Sequence, residues 1–410
     1  MLVHPVISES FSTVLAGSSE PGSAVHTSLS AAVLEAPELL RRFAMVCDGG
    51  RDRGRDHPVA VVLSLCAAAV LAGMRSFTAI AGWVADVPVE VLSGFYAGAE
   101  AKPPSKSTLW RVLTGVDPAA VDAVIGSWLA EHAGLLALAP VPDAGKLLAV
   151  AVDGKTLRGA VDANGARAHV LGAGTHVERL MLGQVQVSAK TNEIAMFAPL
   201  LDQLAEPGID PGGLVVTADA LHTQREHGEY LRSRRAHVIF TGKHNQPGLF
   251  TALTALPWAD TPIAARALDP GHNRLTTRTI QVLPAPADLP FPHVKQVWLI
   301  ERYVSDRAGR PTSAIAALGV TSLSADRASP ADIAELVRRH WGIESPHWLR
   351  DTVYREDHST ARTGSGPHVM AALRNLAIGA LHLLGRRDIT EATRWVTRSM
   401  DRSFKILKLI

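Results

Sequence analysis

The stretch LLAVAVDGKTL at 147–157 decides the fold class, because it is a β-type apolar run that ends in the pair Asp153 and Gly154. Three further strand-like runs are MLGQVQVSA at 181–189, LVVTADAL at 214–221 and HVIFTGK at 237–243. The second of these also ends in an acid, Asp219. Helical stretches separate the runs, so the sequence predicts an α/β fold with its strands in one sheet.

On either side of this region the composition and the spacing of apolar residues change. Residues 1–35 are rich in Ser, Gly, Ala and Pro and are expected to form a loosely ordered lead-in. Residues 36–140 carry apolar side chains at helical spacing and predict an all-α domain. Residues 145–410 predict the α/β domain, with a mainly β insertion at about 262–320, where alternating runs are separated by Pro-rich turns.

The composition is typical of a globular protein from a reducing compartment. Hydrophobic residues make up 47% of the 410 residues, and 41 Lys and Arg against 39 Asp and Glu give a net charge of +2. Nucleic acid would therefore have to be bound by local basic patches. The two cysteines, Cys47 and Cys66, exclude a disulfide framework and a four-cysteine zinc site. We expect a cytoplasmic protein.

The most membrane-like stretch is PVAVVLSLCAAAVLAGM at 58–74. Its 17 residues are at the lower limit for crossing a bilayer. It is rich in alanine and flanked by ordinary amphipathic sequence, so a buried helix is predicted in preference to a membrane span. Neither a membrane association nor a secretory signal is expected.

A short helical run, LWRVL at 109–113, is a candidate DNA-reading element. Ser107 and Thr108 precede it and are predicted to cap it, and Lys106 and Arg111 lie on or beside it. Two interpretations stay open, a plain segment of a helical bundle and a helix-turn-helix-like reader of DNA.

Three acids are the candidate catalytic and metal-binding residues. Asp153 and Asp219 each follow a predicted strand, and the carboxyl ends of strands in open α/β sheets are where ligands bind. Glu344 is expected at the end of a helix that begins near Asp332, packed against that edge. Taken singly each acid is weak evidence, because an Asp after a strand is commonly a turn or cap residue. Together, three carboxylates are hard ligands suited to Mg²⁺ or Mn²⁺, which in pairs promote phosphodiester chemistry.

Polar side chains surround each acid. Those predicted to bind DNA are Lys155, Arg158, Lys190, His222, Gln224, Lys243, His340 and His347. The lysines and the arginine are candidates for phosphate contacts, or equally for solvated surface charges. The histidines are candidates for orienting other groups, or equally for packing. Trp341 and Trp348 lie seven residues apart, where burial in the core is favoured over stacking on DNA bases.

Six ordered blocks of the chain resemble those of the ISAs-type insertion-sequence transposases, a family that includes the H-repeat-associated proteins. The blocks are AVDGKTLRGA at 151–160, SAKTNEIAMFAPLL at 188–201, TADALHTQ at 217–224, TGKHNQPGL at 241–249, HWGIES at 340–345 and YREDHSTARTGSGPHVMAALRNLAIGAL at 354–381. The segments 48–83 and 104–113 resemble the N-terminal associated domain of the same family. The resemblance covers nearly the whole chain from about residue 40.

The resemblance implies an RNase H-like catalytic domain with a DDE triad, carried here by Asp153, Asp219 and Glu344. It also implies Mg²⁺ or Mn²⁺ bound by the same three acids, double-stranded DNA as substrate, and a homodimer in the active complex. The implied activity is metal-dependent DNA cleavage and strand transfer at the ends of an insertion element. A β insertion between the second acid and the glutamate is a feature of the wider group.

The sequence departs from the wider group around the glutamate. An arginine four residues before it and a lysine seven after it are usual there, whereas this chain has His340 and Asp351. Pro346 follows shortly after Glu344, in a segment one residue shorter than in many relatives. Glu356 and Asp357 are therefore reserve candidates for the third acid. Two rival functions also stay open, a DNA-binding descendant without nuclease activity and an RNase H-fold nuclease that transposes nothing.

Overall fold

The computed structural model describes residues 36–46, 56–96, 101–136, 148–161, 165–188, 191–205, 208–271 and 274–410. The predicted lead-in at 1–35, together with Cys47 and Lys190, lies outside the described residues.

The described part of the chain before the first strand is helical. Its helices are α1 (Glu38–Phe43), α2 (Val59–Leu71), α3 (Phe77–Ala85), α4 (Val89–Ser93), α5 (Lys106–Gly115) and α6 (Pro118–His132). Helix α2 is the apolar run at 58–74, and all but one of its residues are buried, which confirms the prediction of a buried helix. Helix α5 is capped by Ser105, whose hydroxyl accepts the N–H of Thr108, and not by the predicted Ser107 or Thr108.

Nine strands form one mixed sheet. They are β1 (Ala149–Val161), β2 (Arg167–Thr175), β3 (Met181–Val187), β4 (Val215–Ala218), β5 (His237–Gly242), β6 (Ala265–Gly271), β7 (Arg274–Pro284), β8 (Gln296–Asp306) and β9 (Pro311–Thr321). Their order across the sheet is β3-β2-β1-β4-β5-β9-β8-β7-β6. The pairs β1–β4 and β4–β5 are parallel and the remaining neighbours are antiparallel. The four predicted strand runs are confirmed as β1, β3, β4 and β5.

Strand β1 is longer than its sequence indicates. The apolar run was expected to end at Asp153, but β1 continues to Val161 because β2 pairs with it, Asp153 opposite Gly172 and Leu157 opposite Ala168. Arg158 therefore lies on the same strand as Asp153.

The alternating runs expected at about 262–320 form the antiparallel meander β6 to β9. This meander continues the main sheet, because β9 pairs with β5, Phe240 opposite Val320. Its outer part is exposed on both faces, whereas Ile280 and Trp298 are buried where α10 (Pro330–His340) packs against it.

The remaining helices complete the molecule. They are α7 (Glu193–Ala205), α8 (Arg225–Ser233), α9 (Pro247–Thr254), α11 (Glu344–Thr352), α12 (Gly366–Leu383), α13 (Ile389–Thr397) and α14 (Met400–Ile406). Helix α12 is almost wholly buried and contacts α2, α5, α6 and β3. Through it the N-terminal helices share one apolar core with the sheet.

Helix α6 lies very close to β3. A Cβ atom at Gly126 would stand 1.8 Å from the carbonyl oxygen of Leu182, so only glycine permits this approach. Trp128 and Leu129, on the same helix, are buried at 2% and 0% exposure. Burial of such side chains contributes about 1.5–3 kcal/mol each, and Leu129 packs against Gly379 of α12.

In the described part of the chain no single helix is both long and apolar enough to cross a membrane, and α5 with α6 passes that test only as a pair bent by 92°.

Candidate active site

Two of the three predicted acids lie at the same edge of the sheet. Val152 of β1 is opposite Ala218 of β4, and the two strands are parallel. Asp153 and Asp219 are therefore each one residue beyond a directly paired position. Asp219 also caps the turn that follows β4, because its Oδ1 accepts the N–H of Leu221 at 3.0 Å. Asp219 therefore caps a turn, as an aspartate after a strand commonly does, and also lies at the strand ends next to Asp153.

Glu344 reaches this edge from a different element than expected. The helix that begins near Asp332 is α10, which starts with a capping box between Ser329 and Asp332 and ends at His340. A single 3₁₀ turn, Trp341–Ile343, follows, and Glu344 is the first residue of the next helix, α11. The predicted position at the end of a helix is therefore corrected to the start of one.

The three acids are close enough to interact electrostatically. Burial, and next the negative charges of Asp219, Glu193 and Glu344, raise the pKa of Asp153 to about 6, although a hydrogen bond from the Gly154 backbone opposes this. The Nδ1 atom of His347 lies 3.6 Å from Asp153 Oδ2.

The donor chemistry of the three acids fits a divalent cation. Carboxylate oxygens are the ligands that Mg²⁺ and Mn²⁺ prefer. Among the described residues, no group of three or more His, Cys, Asp or Glu is arranged to hold a metal ion as it stands. Carboxylates that face one another repel, and a cation between them would remove that repulsion.

Lys155 is held next to the acids by an ion pair. Its side chain is only 9% exposed, and Nζ lies 2.7 Å from Asp351 Oδ2 on α11. Since alternate residues of a strand share a face, Lys155 is on the same side of β1 as Asp153. The pair ties β1 to α11, the two elements that carry the first and third acids.

The predicted histidines lie beneath the surface. His222, His340 and His347 are exposed by only 1%, 7% and 9%. Burial lowers the pKa of His340 to about 4 and that of His347 to about 3, so both rings are neutral at pH 7. His340 Nδ1 lies 3.1 Å from the Thr217 hydroxyl, two residues before Asp219. His340 thus contacts the strand that precedes Asp219, and His347 lies beside Asp153. All three rings are buried.

The remaining predicted DNA-binding side chains are nearer the surface. Arg158 is 72% exposed and lies 3.7 Å from Asp357 Oδ2. Lys243, the first residue after β5, is exposed. Gln224 donates to the carbonyl of Leu221 at 2.8 Å.

Trp341 and Trp348 are exposed, at 59% and 61%, so the expectation that they belong to the core is wrong. Trp341 lies in the 3₁₀ turn before Glu344, and Trp348 lies four residues after Glu344 on α11.

The reserve acids are engaged elsewhere. Glu356 is 2% exposed and pairs with Arg350 and Arg374 at 2.7 and 2.8 Å. Burial alone would raise the pKa of Glu356, but the two arginines outweigh it and hold that pKa at about 2. Asp357 faces Arg158. Glu344 therefore remains the best-placed third acid.

Sequence reasoning missed Glu193, a fourth carboxylate at this site. It is the first residue of α7 and adds to the negative charge felt by Asp153. Its Oε1 and Oε2 accept hydrogen bonds from Nε2 of His169 at 2.7 Å and of His222 at 3.3 Å. The one feature of the sequence that pointed to Glu193 was its position in the block at 188–201. Its partner His169 lies on β2, which was not predicted.

Two family models match the chain. The model described as Transposase DDE domain matches residues 145–379, more than half of the chain, and one described as DDE_Tnp_1-associated matches residues 40–129. The first match contains all three candidate acids.

Curated proteins of similar sequence include two from Escherichia coli K12. YbfL is 24% identical over 361 residues, which are 85% of this chain and 91% of YbfL. YhhI, provisionally named an H repeat-associated transposase, has the same identity and coverage. Among solved structures, a piggyBac transposase synaptic complex with hairpin DNA aligns over 92% of this chain and 80% of that one, at 9% identity. Its TM-score of 0.40 is too low to carry an argument.

Proposed function

The chain belongs to the family of transposases with a DDE domain, and we propose that it cleaves DNA at the ends of an insertion element and joins the freed end to a target. The observation that carries the proposal is the convergence of Asp153, Asp219 and Glu344. They come from β1, from the end of β4 and from the start of α11, and the charges of the latter two reach the first.

The sheet topology supports an RNase H-like catalytic domain. The observation behind this support is the part β3-β2-β1-β4-β5, in which β2 is antiparallel to both neighbours and β1, β4 and β5 are parallel. In such a domain the ligand is expected beside the carboxyl ends of the central parallel strands, where two of the acids lie.

The proposed chemistry is an in-line displacement at phosphorus, without a covalent enzyme intermediate. Asp153, Asp219 and Glu344 would hold Mg²⁺ or Mn²⁺, which when bound supplies activation of the attacking oxygen and stabilisation of the leaving oxygen. The protein's own contribution is to hold the three carboxylates in place. His340 and His347, buried against Thr217 and Asp153, restrict the movement of β4 and of the Asp153 side chain.

Recognition of double-stranded DNA would rest on cations around the acids, of which Arg158 and Lys243 are exposed and Lys155 is buried at 9% exposure. Lys155, Arg158 and Lys243 are the proposed phosphate contacts, Lys190 lying outside the described residues. Since transposition needs two element ends in one complex, a homodimer is proposed for the active assembly.

The test is a cleavage assay with Mg²⁺ or Mn²⁺ on DNA that carries the element's own ends. It compares the unaltered chain with Asp153→Asn, Asp219→Asn and Glu344→Gln, which keep the size of each side chain and remove its charge. We expect end-specific nicking and strand transfer by the unaltered chain, and DNA binding without cleavage by all three variants. Binding without cleavage by the unaltered chain would favour a DNA-binding descendant, and activity of Glu344→Gln alone would displace the third acid.

A further inference from the structure

The face of the sheet that carries Asp153 continues into an open pocket of about 300 Å³. Alternate residues of a strand point to one face, and so do residues directly opposite one another on antiparallel neighbours. Asp153, Lys155 and Leu157 therefore share a face of β1. Leu157 lines the pocket, as does Ala168, which is opposite it on β2. The pocket thus opens on the same side of the sheet as the first acid.

The pocket is also near the acids along the strand. Leu157 is four residues beyond Asp153, and a strand rises about 3.3 Å per residue, so the two positions are roughly 13 Å apart. One strand of a DNA duplex carries a phosphate per about 3.4 Å of helix axis. DNA that is cut at the acids and follows β1 therefore brings a phosphate about four nucleotides from the cut to the pocket.

Among the described residues, the lining of this pocket includes two arginines and no acid. Arg167 is the first residue of β2 and Arg362 precedes α12, and both are exposed. Arg362 Nε donates to the carbonyl of Gly159 at 3.3 Å, which holds its guanidinium group at the rim. Within the described part of the chain neither arginine forms an ion pair, so both charges are left for a ligand.

The start of α12 forms the other wall of the pocket. Gly364, Pro367 and His368 line it, and the first turn of this 18-residue helix has N–H groups and a dipole that favour an anion. His368 is 4% exposed, and its Nε2 pairs with the buried Asp122. Its Nδ1 has no hydrogen-bond partner among the described residues. An imidazole beside a carboxylate readily carries a second proton, and Nδ1 is then a donor for an oxyanion.

We propose that this pocket binds a backbone phosphate of the DNA strand, with Arg167 and Arg362 as its charged contacts. The inference rests on the function proposed above, since it takes DNA as the substrate. Guanidinium groups suit this ligand because their N–H groups form paired hydrogen bonds with phosphate oxygens. A free phosphate compound has the same chemistry, and the experiments below separate the two sources.

The salt dependence of DNA binding tests the two arginines. Affinity of the full chain for DNA carrying the element ends is measured by fluorescence anisotropy without divalent metal, so that no cleavage occurs. Arg167→Gln and Arg362→Gln should each reduce the slope of log affinity against log salt concentration by about one. Arg235→Gln is the matched control, because Arg235 is 78% exposed but precedes β5 at the opposite edge of the sheet. Its slope should equal that of the unaltered chain.

A neutral substitution tests whether the phosphate enters the pocket. Gln186 is exposed on β3 and lines the pocket, so Gln186→Phe fills the space without changing the charge. It should weaken DNA binding by roughly tenfold, the loss of one hydrogen bond to a charged group. Weakening by the arginine variants without any effect of Gln186→Phe would overturn the proposal, because the arginines would then act only as surface charges.

DNA with one neutral methylphosphonate linkage locates the contact. A neutral linkage about four nucleotides from the cut should weaken binding by the unaltered chain and have little further effect on Arg362→Gln, because two changes to one contact are not additive. Equal effects on both chains at every position would contradict the assignment.

Inorganic phosphate, titrated calorimetrically, separates the two sources. Phosphate binding that is lost in the chain with both arginines replaced, together with unchanged DNA slopes, would assign the pocket to a small phosphate compound and overturn the DNA contact. If neither measurement responds to the arginines, the pocket is no phosphate site. If the unaltered chain binds no DNA, the function proposed above fails, while the phosphate titration still tests the pocket.

Discussion

At the scale of single residues, the pair of Lys155 and Asp351 shows how a charge can be placed beside three acids without neutralising them. The ammonium is 9% exposed and is held from α11, while it shares a strand face with Asp153. An arrangement of this kind suits a cation that contacts a phosphate oxygen at the edge of the site.

Lys155→Met tests this role, because it keeps the length of the side chain and removes its charge. We expect DNA cleavage at saturating Mn²⁺ to fall at least tenfold, about 1.4 kcal/mol, while Mn²⁺ affinity is not weakened. Asp351→Asn, which keeps the ammonium but loosens it, should cause a smaller loss. Cleavage by Lys155→Met at the rate of the unaltered chain would show that Lys155 only supports the fold.

Glu356 is the residue whose charge the fold depends on most clearly. It compensates Arg350 and Arg374, which are exposed by 0% and 2%. Removing one partner of a buried ion pair costs roughly 3–5 kcal/mol, so Glu356→Gln should lower the free energy of unfolding by about that amount. Glu335→Gln, at a half-exposed pair, should change it by less than about 1 kcal/mol. Urea unfolding measures both, and equal stability of the two variants would contradict the prediction.

The pH dependence of this effect has a definite sign. In the folded chain the pKa of Glu356 is about 2, below its ordinary 4.5. The stability that the ionised group contributes is therefore fully present above about pH 4.5 and is lost as the pH falls towards 2. The difference in unfolding free energy between the unaltered chain and Glu356→Gln should shrink over that window, and a difference that stays constant down to pH 2.5 would argue against it.

The chemistry of the site was only partly readable from the sequence at this scale. Asp153 and Asp219 could be singled out because each directly follows a recognisable apolar run. The pairing of Lys155 with Asp351 could not be, because the two residues are 196 positions apart. Glu193 was missed because its position is defined by contacts with His169 and with the backbone at Gly154, and neither contact is visible in the sequence.

At the scale of elements, the strand runs rich in large apolar residues were predicted, and β2 was not. Strand β2 has the sequence RAHVLGAGT, in which Val170 and Leu171 are the large apolar residues, and it is a strand because β1 and β3 pair with it on both sides. The break between α10 and α11 was missed because helical spacing continues through the 3₁₀ turn. Strand pairing on both sides therefore decided β2.

The close approach of α6 to β3 predicts the sign of the stability change for a glycine-to-alanine substitution on α6. In an isolated helix, Gly→Ala stabilises by about 1 kcal/mol. At Gly126 the new methyl group would overlap the backbone of β3, and Gly126→Ala should instead destabilise by about 1–3 kcal/mol or more.

Gly82→Ala is the matched control for this change. Gly82 lies inside α3, and a Cβ there would meet nothing within 4 Å, so this substitution should be neutral or stabilising by up to about 1 kcal/mol. Thermal unfolding measures both variants. A Gly126→Ala variant as stable as Gly82→Ala would mean that α6 is not held against β3 in solution.

At the scale of the whole molecule, the net charge of +2 means that the proposed DNA binding depends on where the basic residues lie, because their excess over the acidic ones is small. The parallel strands β1, β4 and β5 have their carboxyl ends at one edge of the sheet and their amino ends at the opposite edge. Lys243 follows β5 at the carboxyl edge, next to the turn after Asp219, whereas Arg235 precedes β5 at the opposite edge. Arg158 lies on β1 beyond Asp153, on the same side as Lys243.

This geometry predicts a different salt dependence for cations at the two edges. Each phosphate contact contributes about one unit to the slope of log affinity against log salt concentration. Lys243→Ala and Arg158→Ala should each reduce the slope by about one for DNA carrying the element ends, with similar weakening on unrelated DNA. Arg235→Ala removes an arginine that is 78% exposed but lies at the far edge, and its slope should equal that of the unaltered chain. Affinities measured between about 50 and 200 mM salt decide the matter. A reduced slope for Arg235→Ala, together with an unchanged slope for Lys243→Ala, would place the DNA at the opposite edge of the sheet, away from all three acids.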